Sequence, residues 1–144
     1  MSSFNLDSRL QADTIKVAES PLCLLLLMND SRYPWLILVP KQTNMREIYQ
    51  LSDNDQITLQ KESSLVAKTL MNSWPLDKIN IGALGNIVSQ LHSHHVGRRQ
   101  DDPAWPGPVW GHSAAIPYGT EKQQNIIATL AQSELACLYE FTNK

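Results

Sequence analysis

Two apolar runs separated by a short polar break constrain this chain more than any other feature. Cys23-Leu24-Leu25-Leu26-Leu27-Met28 is followed by Asn29-Asp30-Ser31-Arg32-Tyr33-Pro34 and then by Trp35-Leu36-Ile37-Leu38-Val39. Each run has the length of a strand, and the polar connection predicts an antiparallel hairpin. Neither run alternates apolar with polar, so both faces of the hairpin must be covered by other parts of the chain. With 144 residues, 42% of them apolar and 18% charged, the chain is long enough to bury a core without disulfide staples.

The remaining elements fit around that hairpin. Thr14-Ile15-Lys16-Val17-Ala18 alternates and stops at Ser20-Pro21, a short strand after a brief N-terminal turn of helix. The longest helix is expected from Asp53 to about Asn72, with Ser52 and Asp55 at its start and Leu59, Val66 and Leu70 at helical spacing. Ser73-Trp74-Pro75 ends it, because the residue before a proline is pushed out of the helical region. A shorter helix is expected around Arg46 to Gln50. Lys78 to Ala83 reads as a strand, Leu84-Gly85-Asn86 as a turn and Val88 to Val96 as a second strand. The stretch from Asp101 to Tyr118, with Pro103, Pro106, Pro108 and Pro117, reads as an ordered irregular loop. Thr120 with Gln123 opens a last helix to about Leu135. The sum is one α+β domain over residues 1–144, with a mainly antiparallel sheet, one long helix and a C-terminal helix.

Composition narrows the function classes. Twelve basic and 14 acidic residues give a net charge of −2, which excludes a globally basic surface for nucleic acid. No run approaches the ~18 apolar residues of a membrane span, and Met1 to Asp7 lacks the layout of a secretion signal. Cys23 and Cys137 lie far apart in apolar surroundings and read as reduced core residues of a cytoplasmic protein.

The chemistry concentrates in Gln90-Leu91-His92-Ser93-His94-His95-Val96-Gly97-Arg98-Arg99, which holds three of the four histidines. On a strand Gln90, His92 and His94 share one face and His95 points to the other. That shared face offers polar groups roughly 6–7 Å apart, a row suited to a phosphate, a metal or a water network. The plain alternative is a pair of surface histidines on an exposed strand.

Gln90-x-His92-x-His94-x-Val96-Gly97-Arg98 resembles the His-x-His-x-His signature of the histidine-triad (HIT) superfamily, with Gln90 in the place of the first histidine. Gly85-Asn86 matches the turn before that strand, and Leu24 to Pro40, with Asn29-Asp30 in its turn, is similar to the family's nucleotide-cradling hairpin. Asp102-Pro103-Ala104-Trp105-Pro106-Gly107-Pro108-Val109-Trp110-Gly111 is similar to a bacterial branch linked with dinucleoside polyphosphate hydrolysis. The family-like core runs from about residue 15 to 111, followed within 101–144 by the irregular loop and last helix.

The resemblance implies nucleotidyl transfer or hydrolysis at an α-phosphate, on a dinucleoside polyphosphate or a nucleoside phosphoramidate. His92 would attack phosphorus and form a nucleotidyl-imidazole that water resolves, a role suited to an imidazole that is neutral near pH 7. His94 would donate to the phosphate oxygens or the leaving group, and Gln90 would add a neutral amide donor. Arg98 would offer charge to the polyphosphate, Asn29 and Asp30 would hold the ribose, and Asn86 would join the substrate-binding set. Asn-Asp is equally ordinary turn chemistry. Gln90 cannot serve as a cationic acid, which does not forbid phosphoryl chemistry driven by positioning and charge stabilisation. Ser93 and His95 are polar where the family is usually apolar; each is either buried with a partner, or that side of the strand is less covered.

No cofactor is expected. The expected partners are a nucleotide substrate of the purine nucleoside phosphate kind and a second copy of the chain; neither nucleic acid nor membrane is. Two other classes stay open. One is a nucleotide-binding protein without useful turnover. The other is a metal site in which His112, Asp101 or Asp102 joins His92 and His94. Trp105 and Trp110 either wall the nucleotide cleft or pin the loop, and the structural role is the stronger reading.

Overall fold

In the computed structural model, which describes residues 3–142, the two apolar runs form the centre of a six-stranded sheet. The elements in order are α1 (Ser8–Asp13), β1 (Thr14–Glu19), β2 (Cys23–Met28), β3 (Trp35–Pro40), α2 (Asp53–Ser73), β4 (Lys78–Gly82), β5 (Ser93–Arg98), α3 (Thr120–Ala131) and β6 (Glu140–Phe141). Strand order across the sheet is β4-β5-β3-β2-β1-β6, and every pairing is antiparallel. The α+β architecture is as the sequence predicts.

The non-alternating strands are explained by two separate cores. Cys23, Leu25, Leu27, Leu36 and Leu38 face the layer of α2 and α3, with Leu59, Val66, Leu70, Ile127 and Leu130. Leu24, Leu26, Trp35, Ile37, Val39 and Val96 face the opposite side, under Leu10, Tyr33, Ala104 and Val109. Each fully buried leucine of this kind stabilises the fold by about 1.5–3 kcal/mol.

The long helix α2 begins where Ser52 accepts a hydrogen bond from Asp55 N–H, with Asp53 and Asp55 near the positive end of the helix dipole. It ends at Ser73, before Trp74-Pro75. Between them the helix buries Glu62, Ser63 and Thr69 as well as its apolar stripe. Ser63 is 2.7 Å from His95 Nε2, and the Glu62 carboxylate accepts from Ser20 Oγ and Tyr139 Oη.

Several expectations need correction. The strand of the histidines starts at Ser93 rather than Val88, so His92 immediately precedes β5 instead of lying on it. Ser93 pairs with Leu38 and His94 with Gly82, and before them no ladder partner is left; Leu91 N–H bonds to Met45 O instead. The helix around Arg46 to Gln50 shrinks to a 3-10 turn, Ile48–Gln50. Gly119, not Thr120, caps α3, which stops at Ala131; Ser133 then accepts from Leu135 N–H and starts a separate 3-10 turn. Cys23 is buried and Cys137 is exposed, and both are free thiols. No helix among the described residues is long and apolar enough to cross a membrane.

Candidate active site

A cleft of about 730 Å³ opens on the α1 side of the sheet. His92 and His94 stand in its wall, with Trp35 and Trp110 beside them; Asn29 and Asp30 come from the β2–β3 turn and Asn86 from the turn after β4. Gly85, at φ +73°, makes that last turn possible, since a side chain there would be strained. The hairpin turn and the histidines, 62 positions apart from Asp30 to His92, thus share one cavity.

The hydrogen-bond partners assign the two imidazoles. His92 Nδ1 lies 2.6 Å from the carbonyl oxygen of Gln90. A carbonyl only accepts, so Nδ1 carries a proton, and in the neutral ring Nε2 keeps the lone pair. Trp35 Nε1, which only donates, lies 3.0 Å from His94 Nδ1, so His94 accepts there and carries its own proton on Nε2. The rings are 4.9 Å apart between centroids. Burial, reinforced by the neighbouring His92 and His95, lowers the His94 pKa to about 3. His94 is therefore a neutral N–H donor over the whole range in which the protein is expected to work. On the reverse face of β5, burial lowers His95 to about 4, and Ser63 is the partner that the sequence left open.

The ribose candidates are in place but already engaged. Asn29 Oδ1 accepts from Tyr118 N–H, which fixes the orientation of the amide. Asp30 is buried and holds Arg32 through Oδ1 at 3.0 Å and Oδ2 at 2.9 Å. Burial alone would raise the Asp30 pKa, but the hydrogen bonds and charge of Arg32 outweigh it and hold the carboxyl below its ordinary value.

Two candidates are not brought to the cleft. Arg98 is buried, with Nε and Nη2 on the two oxygens of Asp102 at 2.8 and 3.0 Å, Nη1 on Asn80 Oδ1 and Nη2 also on the carbonyl of Gly107. It lies 5.6 Å from the Trp105 ring centroid. Asp102 also accepts from the backbone N–H groups of Arg99, Ala104 and Trp105. The expectation that Arg98 meets the polyphosphate is thus corrected: every nitrogen of its guanidinium is engaged, Nε and Nη2 with the 101–111 loop and Nη1 with Asn80 of β4. That loop delivers Val109 and Trp110 to the cleft, where Trp110 sits 5.5 Å from His94. The two tryptophans divide the roles, Trp105 pinning the loop and Trp110 walling the site. The Gln90 side chain is also turned away, toward Asn5 and Asp7, so its amide is not directed into the cleft.

Sequence reasoning missed Arg9, Leu10, Ala12 and Asp13 of α1, which line the cleft, and it missed Trp35 as the partner of His94. Neither left a signal in the sequence: the Trp35 contact follows from the pairing of β3 with β5, in which Trp35 stands diagonally from His94. Among the described residues no group of three or more His, Cys, Asp or Glu is gathered to hold a metal ion.

An antiparallel sheet backed by one long helix, with a histidine pair where its cleft-lining strand begins, defines the class of histidine triad proteins. The model of the HIT domain matches residues 9–101, well over half of the chain, and the chain belongs to that family. Family members are in general nucleotide hydrolases and transferases. A histidine triad protein of Marinobacter aquaeolei VT8 is 50% identical, covering 95% of this chain and 99% of its own, with a TM-score of 0.92. A histidine triad (HIT) protein of Sinorhizobium meliloti 1021 is 47% identical over 90% of this chain and 96% of its own, at a TM-score of 0.88. A histidine triad protein of Bradyrhizobium japonicum is 41% identical over 91% of this chain and 98% of its own, at a TM-score of 0.89. No curated protein matches.

Proposed function

We propose that this protein cleaves a nucleoside phosphate derivative at its α-phosphate through a covalent intermediate on His92. The observation that carries this reading is the tautomer pair: a bare Nε2 on His92 beside an N–H on His94, both in the wall of one cleft. His92 Nε2 forms a bond to phosphorus while the bond to the leaving group breaks and takes its electron pair with it. His94 Nε2–H donates to a non-bridging oxygen as charge builds there. Water then adds to phosphorus, the P–N bond breaks, and the nucleoside monophosphate leaves with His92 restored. Neither His94 nor Gln90 is a cationic acid, so the leaving group takes its proton from solvent. Asn29, Asp30 and Asn86 are the groups for the sugar and phosphate.

Among the described residues that line the cleft, Arg9 is the one Lys or Arg side chain, and it lies beside Asp13 at 3.7 Å. That charge count favours a phosphoramidate, with few phosphate charges, over a dinucleoside polyphosphate. His92→Ala should abolish nucleotidyl hydrolysis and leave AMP affinity within about tenfold, because a nucleophile acts in the transition state. Rapid-quench trapping of a nucleotidyl-His92 adduct tests the intermediate directly. Wild-type protein that binds AMP but turns over neither substrate type would be a binding module instead.

A homodimer is part of the same proposal. β4 ends the sheet on one side, and Ile81 on it is half-exposed, which gives a second copy an apolar strand edge to cover. Sedimentation of wild type against Ile81→Lys would measure it.

A further inference from the structure

Gln90 makes two hydrogen bonds across more than 80 positions of sequence: Nε2 donates to the carbonyl of Asn5 at 2.9 Å, and Oε1 accepts from the N–H of Asp7 at 2.8 Å. Asp7 is the N-cap of α1, and its own Oδ1 accepts from the N–H groups of Arg9 and Leu10. In an ordinary capping box the N-cap N–H would be taken by a Glu or Gln three residues on. Here that position is Leu10, which has no acceptor, and Gln90 fills the role from the other end of the site. α1 has six residues, far too few to hold its shape alone, so its place depends on such ties and on the burial of Leu10. Four of those six residues, Arg9, Leu10, Ala12 and Asp13, line the cleft. The backbone carbonyl of the same Gln90 holds the His92 tautomer.

We propose that Gln90 is a positioning residue, which latches the N-terminal segment and holds the α1 wall of the cleft in the place where the nucleotide binds. A primary amide suits this role because it donates and accepts side by side, as a peptide unit does. A neutral histidine has its donor and acceptor on opposite sides of a ring. The inference rests on the nucleotide reading of the cleft, and it assigns Gln90 to substrate binding through α1 rather than to the chemical step.

The test uses the full chain, AMP as the binding probe and a fluorogenic adenosine phosphoramidate as substrate. Gln90→Ala should weaken AMP binding and raise KM by about tenfold, the scale of one or two lost neutral hydrogen bonds. It should leave kcat within about threefold, since the residue-90 carbonyl persists. Hydrogen exchange at the Asp7 amide should accelerate while the amides of α2 stay protected. Gln90→His should behave like Gln90→Ala. If instead kcat falls at unchanged AMP affinity, or Gln90→His raises kcat, residue 90 acts on the phosphate and the latch is refuted while the nucleotide reading stands. Unchanged exchange at Asp7 refutes it as well. If wild type neither binds AMP nor turns over the substrate, the nucleotide reading fails and the proposal falls with it. Should Gln90→Ala not fold, Gln90→Glu keeps the acceptor for Asp7 N–H and loses the donor to Asn5; it must then show a smaller shift in the same direction.

Discussion

The two adjacent histidines of β5 make the fold acid-labile within a defined pH window. His94 and His95 are buried on opposite faces of the sheet, and burial lowers them to about 3 and about 4 from an ordinary 6.5. In the unfolded chain both protonate as pH falls through 6.5, whereas in the folded protein neither does until pH nears its lowered value. The unfolded state therefore binds up to two more protons between these limits, and stability rises with pH there. Their contribution is complete above pH 6.5 and is lost progressively toward pH 4. At about 1.4 kcal/mol per pH unit and proton, going from pH 7 to 4.5 removes about 2.5 kcal/mol for each histidine. The pair together removes about 5 kcal/mol, comparable with the whole stability of a marginal domain. Asp30 and Asp102, both held below the usual carboxylate value by their arginine partners, add their loss only as pH approaches 4 and below. Urea unfolding followed by tryptophan fluorescence, repeated from pH 7 to 4.5, gives the slope directly. His95→Gln keeps a hydrogen-bonding group for Ser63 and cannot titrate in this range, so it should halve the slope. A slope below about half a proton, or one that His95→Gln leaves unchanged, would refute the assignment of both histidines as buried and neutral.

Two further substitutions probe the site. Arg98→Met leaves Asp102 buried and uncompensated and should cost about 3–5 kcal/mol of stability in urea unfolding, with a red shift of the emission from the loosened 101–111 loop; an arginine that served the substrate would change KM and leave stability nearly intact. Trp35→Phe keeps the ring and removes the N–H to His94 Nδ1, so nitrogen NMR should show His94 leaving the single Nε2–H tautomer. Turnover should then fall by about tenfold or more, the lower end of what a lost transition-state donor costs.

How much of this was legible in the sequence varies by residue. The β2–β3 hairpin and α2 were readable because local patterns dictate them: two apolar runs around a polar turn, and a serine cap ahead of helical spacing. The alternation of His94 and His95 was equally readable, since it is a property of any strand. The start of β5 was not, because alternation says which face a side chain takes and is silent on whether a neighbouring strand is there to pair. Arg98 looked available because an arginine in a sequence carries no sign of its partner, although Asp102 stands four positions on. Gln90 failed for a similar reason: its two partners are backbone groups more than 80 positions away. Glu62 and Ser63 carried no sign of a partner in the sequence, and only the folded chain sets them against Tyr139 and His95.

Gly97 has a consequence for how β5 finds its register. A Cβ on it would meet Leu76 Cδ1 at 2.6 Å and Pro34 Cγ at 3.0 Å, so this one position lets both residues close over the strand. A slip of β5 by a single residue inverts its faces, which would exchange His94 and His95. Chemically that exchange is nearly silent, one imidazole for another, and the histidines cannot guard against it themselves. The slip would bring Val96 or Arg98 under Leu76 and Pro34 and carry the guanidinium away from Asp102. The glycine and the arginine that follow the histidines thus act as the proofreading end of the strand, and they favour the alignment that brings the correct imidazole to the cleft.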